Sequence, residues 1–306
     1  MAIPDFQTCM LPMLQLAADG REHSLADARE ALATHFDLTD EDRTELLPSG
    51  RQHRFDNRVR WARHYLDKAG LLESPRRAHF RVTERGGSVL ANPPSRIDIG
   101  FLEQFEEFRE FRQVDGRSTS VSGNKSGATG TPPDETPEEV LERAYQVIRS
   151  ELATELLAKV KSSSPAFFER LVVELLLKMG YGRSRAEAGR AIGGSGDEGI
   201  DGIISEDRLG LDTIYIQAKR WNGTVGRPEI QKFVGALHGK RARKGVFLTT
   251  GNFSAEAMDY VSRIDPRVVL IGGDDLAEYM LDLNLGVTPR AAYELKRIDS
   301  DYFSEE

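Results

Sequence analysis

Gly199-Ile200-Asp201-Gly202-Ile203-Ile204-Ser205, followed after seven residues by Thr213-Ile214-Tyr215-Ile216-Gln217-Ala218-Lys219, is the stretch that decides the fold of this chain. Both segments are short and β-branched, and a glycine-rich turn leads into the first, as strands require. Alternate residues of an extended chain share a face, so Gln217 and Lys219 point together with Ala218 opposite. A hairpin-length gap brings Asp201 beside them. A carboxylate, an amide oxygen and an ammonium gathered there suit a hard cation and a phosphate, which predicts phosphodiester cleavage.

Outward from these strands the pattern alternates. Helices are predicted near 165–179, 227–238, 254–264 and 274–283, with strands at 245–250 and 268–271, so the expectation is a mixed sheet flanked by helices. On the first of these helices Phe168, Leu171, Val172 and Leu175 form the core face, and Glu169 beside it can lean toward the sheet to share a metal. Glu174 lies about 140° further round and faces solvent. Asp201 interrupts an apolar strand and Lys219 sits where a buried sheet normally carries a hydrophobe, so each needs a partner. A structural Asp201–Lys219 ion pair is the competing reading. Gly194 to Gly199 matches G-x-G-x-x-G, but it leads into a strand rather than opening a helix, so it reads as a glycine-rich turn and not a dinucleotide site.

The first 92 residues read as helices followed by a hairpin. Ser24 is placed to cap one helix, and another over about 55–69 interleaves Arg54, Arg58, Arg60 and Arg63 with Val59, Trp61, Ala62, Tyr65 and Leu66. Gly70 ends it. A hairpin with Arg76 and Arg77 at its tip returns through His79 to Val82, and Thr83 caps a short helix. This is the make-up of a winged helix, whose third helix enters the major groove while the hairpin tip touches the backbone; those six arginines are the expected DNA contacts.

Residues 93–136 are expected to join the two parts. Phe101, Phe105 and Phe108 have helical spacing among glutamates, which fits an amphipathic docking helix, but a plain connector is favoured. The Ser/Gly/Pro-rich run from Ser118 is a flexible linker by composition. The second domain is placed at 137–306, opened by a Thr136/Glu139 capping box with Pro137 at the first helical position.

At 306 residues, with 39% hydrophobic and 29% charged, the chain is of ordinary globular composition and long enough for two cores. Its net charge of -8 is unevenly spread. Residues 1–50 carry three Arg/Lys against ten Asp/Glu, whereas residues 51–85 carry ten against four, so a local basic face is available to phosphate. The single cysteine, Cys9, excludes an internal disulfide, and the six histidines show no metal-ligand or triad spacing. No apolar run of membrane-spanning length appears, and the N-terminus lacks a secretory pattern, so a cytoplasmic location is expected.

Taken in order, Phe168-Glu169, the segment from Gly193 through Asp197 and Asp201 to Gly202, Gln217-Ala218-Lys219-Arg220, Val225 to Glu229, and Gly245 to Thr250 resemble the catalytic domain of Mrr-type restriction endonucleases, within the PD-(D/E)xK nuclease superfamily. The N-terminal part is similar to the winged helix that precedes that domain. The resemblance implies a restriction-endonuclease-like fold and a Mg2+-dependent endonuclease that cuts foreign double-stranded DNA carrying methylated bases. It puts the metal on Asp201, Gln217 and the Ala218 carbonyl with Glu169 assisting, Lys219 on the attacking water, and Asp197 in support. Gln217 stands where the wider superfamily has Asp or Glu. A double-strand break needs two active sites, so a homodimer or larger assembly is expected. Two alternatives stand beside this: a winged-helix regulator with an inactive nuclease domain, and a structure-specific nuclease such as a junction resolvase.

Overall fold

The computed structural model describes residues 2–118, 134–182, 199–207 and 211–296. It divides into two compact units, the first ending at Val147 and the second starting at Ile148.

The first unit is built on α1 (Met10–Leu16), α2 (Leu25–His35), α3 (Asp40–Thr44) and α4 (Arg54–Lys68), with a small antiparallel sheet in the order β1 (His23–Ser24), β3 (His79–Val82), β2 (Leu72–Glu73). Local chemistry sets these boundaries. Ser24 and Asp27 form a reciprocal capping box at the start of α2, and Thr39 and Asp42 do the same for α3. Thr83 caps α5 (Glu84–Ala91) through the Gly86 N–H. Helices with this sheet bear out the expected winged-helix make-up, to which the structure adds the short β1.

The connector reading of 93–136 is overturned over its first part. Ile97, Leu102 of α6 (Ile99–Leu102) and Phe108 of α7 (Glu106–Ser118) are fully buried in one core with Met10, Leu14, Phe55, Val59, Leu66 and Phe80. Burying a phenylalanine stabilises by roughly 1.5–3 kcal/mol, more than an open linker would forgo. The expected start of the second domain also moves. Thr136 and Glu139 do form the capping box of α8 (Pro137–Ser162), yet Thr136 Oγ1 donates to Asn57 Oδ1 of α4 at 2.6 Å, and both cap residues are buried in the first unit. The serine- and glycine-rich part of the linker, 119–133, lies outside the described residues.

In the second unit β4 (Gly202–Ser205) pairs antiparallel with β5 (Thr213–Lys219), which pairs parallel with β7 (Lys244–Thr249), and β7 in turn with β9 (Arg267–Ile271). A two-stranded parallel ladder joins β6 (Thr224–Val225) to β8 (Asn252–Phe253). Strand alternation sorts two cores onto the two faces of the main sheet. Ile214 and Ile216 of β5, with Val246 and Leu248 of β7, pack with α9 (Pro165–Lys178), the end of α8 and α12 (Gly273–Asp282). Tyr215 and Phe247 face the other way, toward α10 (Arg227–Gly239) and α11 (Ala255–Ser262), where Phe247 meets Phe233 edge-on at 5.6 Å. No helix among the described residues is long and apolar enough to cross a membrane.

Candidate active site

The expected strand over 199–205 forms only from Gly202, and Asp201 lies one residue outside it. The cause is visible. Gly199 turns with φ 97°, a conformation side-chain-bearing residues rarely adopt, and Asp201 then docks on β5 by side chain as well as backbone. Its N–H donates to the Ile216 carbonyl at 2.8 Å, and its Oδ2 accepts the Ala218 N–H at 2.8 Å. These bonds flank Gln217 and fix the carboxylate beside it. A Cβ on Gly199 would lie 3.2 Å from the Gln217 amide nitrogen, so the glycine also makes room for that amide, which is buried.

Lys219 ends β5 opposite Thr249, the last residue of β7, at the carboxyl ends of two parallel strands, where open sheets of this kind present their crevice. It makes no ion pair with Asp201. Its Nζ donates to Glu229 Oε2 at 2.5 Å and lies 4.6 Å from the centre of the Trp221 ring, with 24% of its side chain still exposed. Glu229 stands in the first turn of α10, where the helix dipole favours an anion, and it also accepts from Lys232 at 2.7 Å. The hydrogen bond from Lys219, then that from Lys232, hold its carboxyl below the usual glutamate range. Arg220 is tied back by a 2.6 Å bond from Nη1 to the Lys161 carbonyl.

Asp201 thus docks beside Gln217 on the strand that ends in Lys219. Glu169 is placed differently. Its helix packs through Phe168, Leu171 and Val172 on the face of β5 carrying Ile214 and Ile216, and alternation sends Gln217 and Lys219 to the other face. Glu169 is half-buried and makes no hydrogen bond with the other three among the described residues. Asp197 lies outside the described residues. Among the described residues no three acidic, histidine or cysteine side chains form a metal cluster. The donor set is instead one carboxylate, one amide and strand carbonyls, all hard oxygen donors, which fits a divalent cation that keeps water or substrate oxygens for the rest of its shell.

In the sequence Glu229 stands out only as the end of the resembling segment Val225 to Glu229. A glutamate ten positions after Lys219, directly behind the Pro228 that opens a helix, was the signal for its role beside the lysine.

The expected DNA-contacting arginines divide. Arg58 is consumed inside the unit: its guanidinium donates to Glu139 at 3.0 and 2.9 Å and to the Ile3 carbonyl at 2.7 Å. Arg54 pairs with Glu45 at 2.7 Å and lies 3.8 Å from Glu139. Arg60 bonds Glu138, which also accepts from the Trp61 indole N–H. Arg63 donates to Ser74 Oγ at 2.6 Å. On the far side α7 covers the helix, with Phe111 against His64 and Phe108 against Tyr65. Only Arg60 and Lys68 of α4 are exposed, so α4 does not offer an open arginine row. The hairpin tip does project into solvent, with Arg76 largely exposed and paired to Glu22 at 3.1 Å, and Arg77 exposed next to it.

Comparison with known proteins agrees with this architecture. Residues 160–280 match a family described as a restriction endonuclease, and residues 6–92 match the Mrr N-terminal domain. A relative from Escherichia coli strain K12, described as the type IV methyl-directed restriction enzyme EcoKMrr, is 35% identical over 311 residues, covering 99% of this chain and 100% of that protein. Among solved structures, the MspJI restriction endonuclease in complex with a 27-mer oligonucleotide is 20% identical with a TM-score of 0.28, covering 68% of this chain and 49% of that one. The DNA modification-dependent restriction endonuclease AspBHI is 16% identical with a TM-score of 0.34, covering 69% and 53%. This chain therefore spans about half the length of each of those two (49% and 53%). The molecule is a DNA endonuclease of the restriction-enzyme class. It belongs to the Mrr family, a group that uses divalent metal.

Proposed function

We propose that this endonuclease cleaves foreign double-stranded DNA carrying methylated bases, using Mg2+, in the cytoplasm, and that it works as a homodimer or larger assembly. The methyl-directed description of the 35%-identical relative supports the substrate, and the lone buried thiol of Cys9 suits a reducing compartment. The observation that carries the chemistry is the pinning of the Asp201 carboxylate to β5 on either side of Gln217, at the strand that ends in Lys219.

Asp201, Gln217 and the Ala218 carbonyl would hold the cation, with Glu169 as an assisting acid and Asp197 in support. A bound cation supplies Lewis-acid polarisation of the phosphate and an acidified water. Asp201 keeps one oxygen on the Ala218 N–H, which orients the other toward the site. Lys219 exchanges its bond to Glu229 for the attacking water or a nonbridging phosphate oxygen, and offsets the charge that develops there. Glu229, held anionic by its two lysines, accepts Lys219 again after turnover. The winged helix binds the duplex through the exposed hairpin arginines Arg76 and Arg77 and through Arg60 of α4, with Arg54 and Arg63 beside it, while Arg58 stays bound within the unit.

The test is incubation of the purified chain with methylated and unmethylated plasmid and Mg2+. Preferential cutting of methylated plasmid that disappears in Asp201→Ala is expected. Equal cutting by wild type and Asp201→Ala removes the assigned mechanism, and preference for a four-way junction over methylated duplex moves the substrate.

A further inference from the structure

The arginines of α4 already have an anion in front of them. Between Asp134 and Glu142 the chain carries Asp134, Glu135, Glu138, Glu139 and Glu142 with no Lys or Arg among them. The first turn of α8 lays the middle two on α4. A guanidinium or indole N–H that receives a carboxylate receives a phosphate by the same geometry, and it cannot serve both at once.

The contact has two halves of different character. Glu139 is its anchor: 9% exposed, it takes Arg58 in two bonds, lies near Arg54, and accepts the Thr136 N–H at 2.9 Å that closes its own capping box. Arg58 is further bound to the Ile3 and Pro4 carbonyls, so this half is built into the unit. Glu138 is the outer half. It engages Arg60 and the Trp61 indole, 23% of its side chain is exposed, and Arg60 beside it is 44% exposed. An ion pair at that exposure is held weakly against solvent and salt.

We propose that Glu138 is an autoinhibitory latch, a carboxylate that occupies the phosphate position on α4 in the resting protein and is displaced when duplex DNA binds. This rests on the reading of α4 as a DNA-contacting helix. The latch sets a threshold: a duplex must offer enough phosphate contact, beginning at the exposed hairpin arginines, to replace Glu138 on Arg60.

The test uses the full chain in EDTA, with binding of a fluorescein-labelled duplex, methylated and unmethylated, measured by anisotropy across a salt series. Glu138→Gln is expected to bind about three- to tenfold more tightly and to steepen the dependence of log K on log salt by about 0.9, the signature of one additional phosphate contact. Arg60→Gln in the Glu138→Gln background should cancel both gains. If Glu138→Gln leaves affinity and slope unchanged while Arg60→Gln or Arg63→Gln weakens binding, the latch is wrong and the DNA role of α4 stands. If none of the three changes binding, the DNA role of α4 falls and the latch with it.

Discussion

Both units place a basic side chain against a glutamate, and the two arrangements differ in where that glutamate comes from. Lys219 is held by a residue ten positions away, at the start of the next helix. Arg58 and Arg60 of α4 are held by residues 81 and 78 positions away, beyond the serine- and glycine-rich run. In the first case the strand pattern fixes which way the lysine points and the partner follows within the same supersecondary unit. In the second, helical periodicity shows that arginines line α4 but says nothing about what covers them. A basic row is a binding surface only when the remainder of the chain leaves it open.

The sharpest way to break this comparison is to remove the charges and see where chemistry stops. Asp201→Ala and Lys219→Ala should each lower plasmid cleavage about 10³-fold or more, the scale for losing a group that stabilises developing charge. Arg60→Gln should change duplex affinity only a few-fold. If Arg60→Gln abolishes cleavage as completely as Lys219→Ala, the two regions do not divide binding from chemistry as described.

Period-two alternation made Gln217 and Lys219 legible, and the step back to Asp201 followed from the hairpin. The turn at Gly199 was legible as a turn, though the entry of Asp201 one residue before β4 depends on a side-chain bond to the Ala218 N–H that no pattern encodes. Glu169 illustrates a limit of helical spacing, which places it beside an apolar stripe but does not say which face of the sheet the stripe will cover. Phe101, Phe105 and Phe108 carry the amphipathic signal of α6 and α7, but Tyr65, against which Phe108 packs, lies too far back in the chain for local reading to pair them. The Thr136/Glu139 box marks a helix start but not a domain start, because a capping box reports the helix and not what it packs on.

The inclusion of α7 in the first unit predicts the next largest effect. Phe108→Ala empties a fully buried position between α7 and α4 and should cost about 3–5 kcal/mol in denaturant unfolding of the first unit. A loss near zero would return 93–112 to the status of a connector.

Glu229→Gln sharpens the comparison within the catalytic unit. It keeps the shape of the contact and removes its charge, so the cleavage rate should fall about tenfold, chiefly in kcat, if Glu229 positions Lys219 rather than binding substrate. Since the folded carboxyl is held below its usual value of 4.5, the pair contributes stability that is complete above that pH and is lost as the pH falls through the folded value. Thermal midpoints of wild type and Glu229→Gln should differ near neutrality and converge in acid. A KM increase with unchanged kcat would instead make Glu229 part of substrate binding.

The smallest expected effect lies at the other end of the comparison, where α7 is tied to α5. Arg85 donates two hydrogen bonds to Glu107 at 3.0 and 2.8 Å, and these hold the Glu107 carboxyl down to about 2. The folded value is depressed, so the pair's contribution is present above the unfolded value of about 4.5 and is lost as the pH falls from there toward 2. Both side chains are well exposed, so salt screens the pair and its share of stability is slight. Arg85 also lies 5.3 Å from the centre of the Phe105 ring, a contact that depends on neither the pH nor the charge of Glu107. Glu107→Gln should therefore lower the thermal midpoint a little at pH 7 and low salt, less and less as the pH falls through about 2, and not at all in molar salt. A deficit that persists in molar salt would show that Glu107 acts through packing and not through its charge.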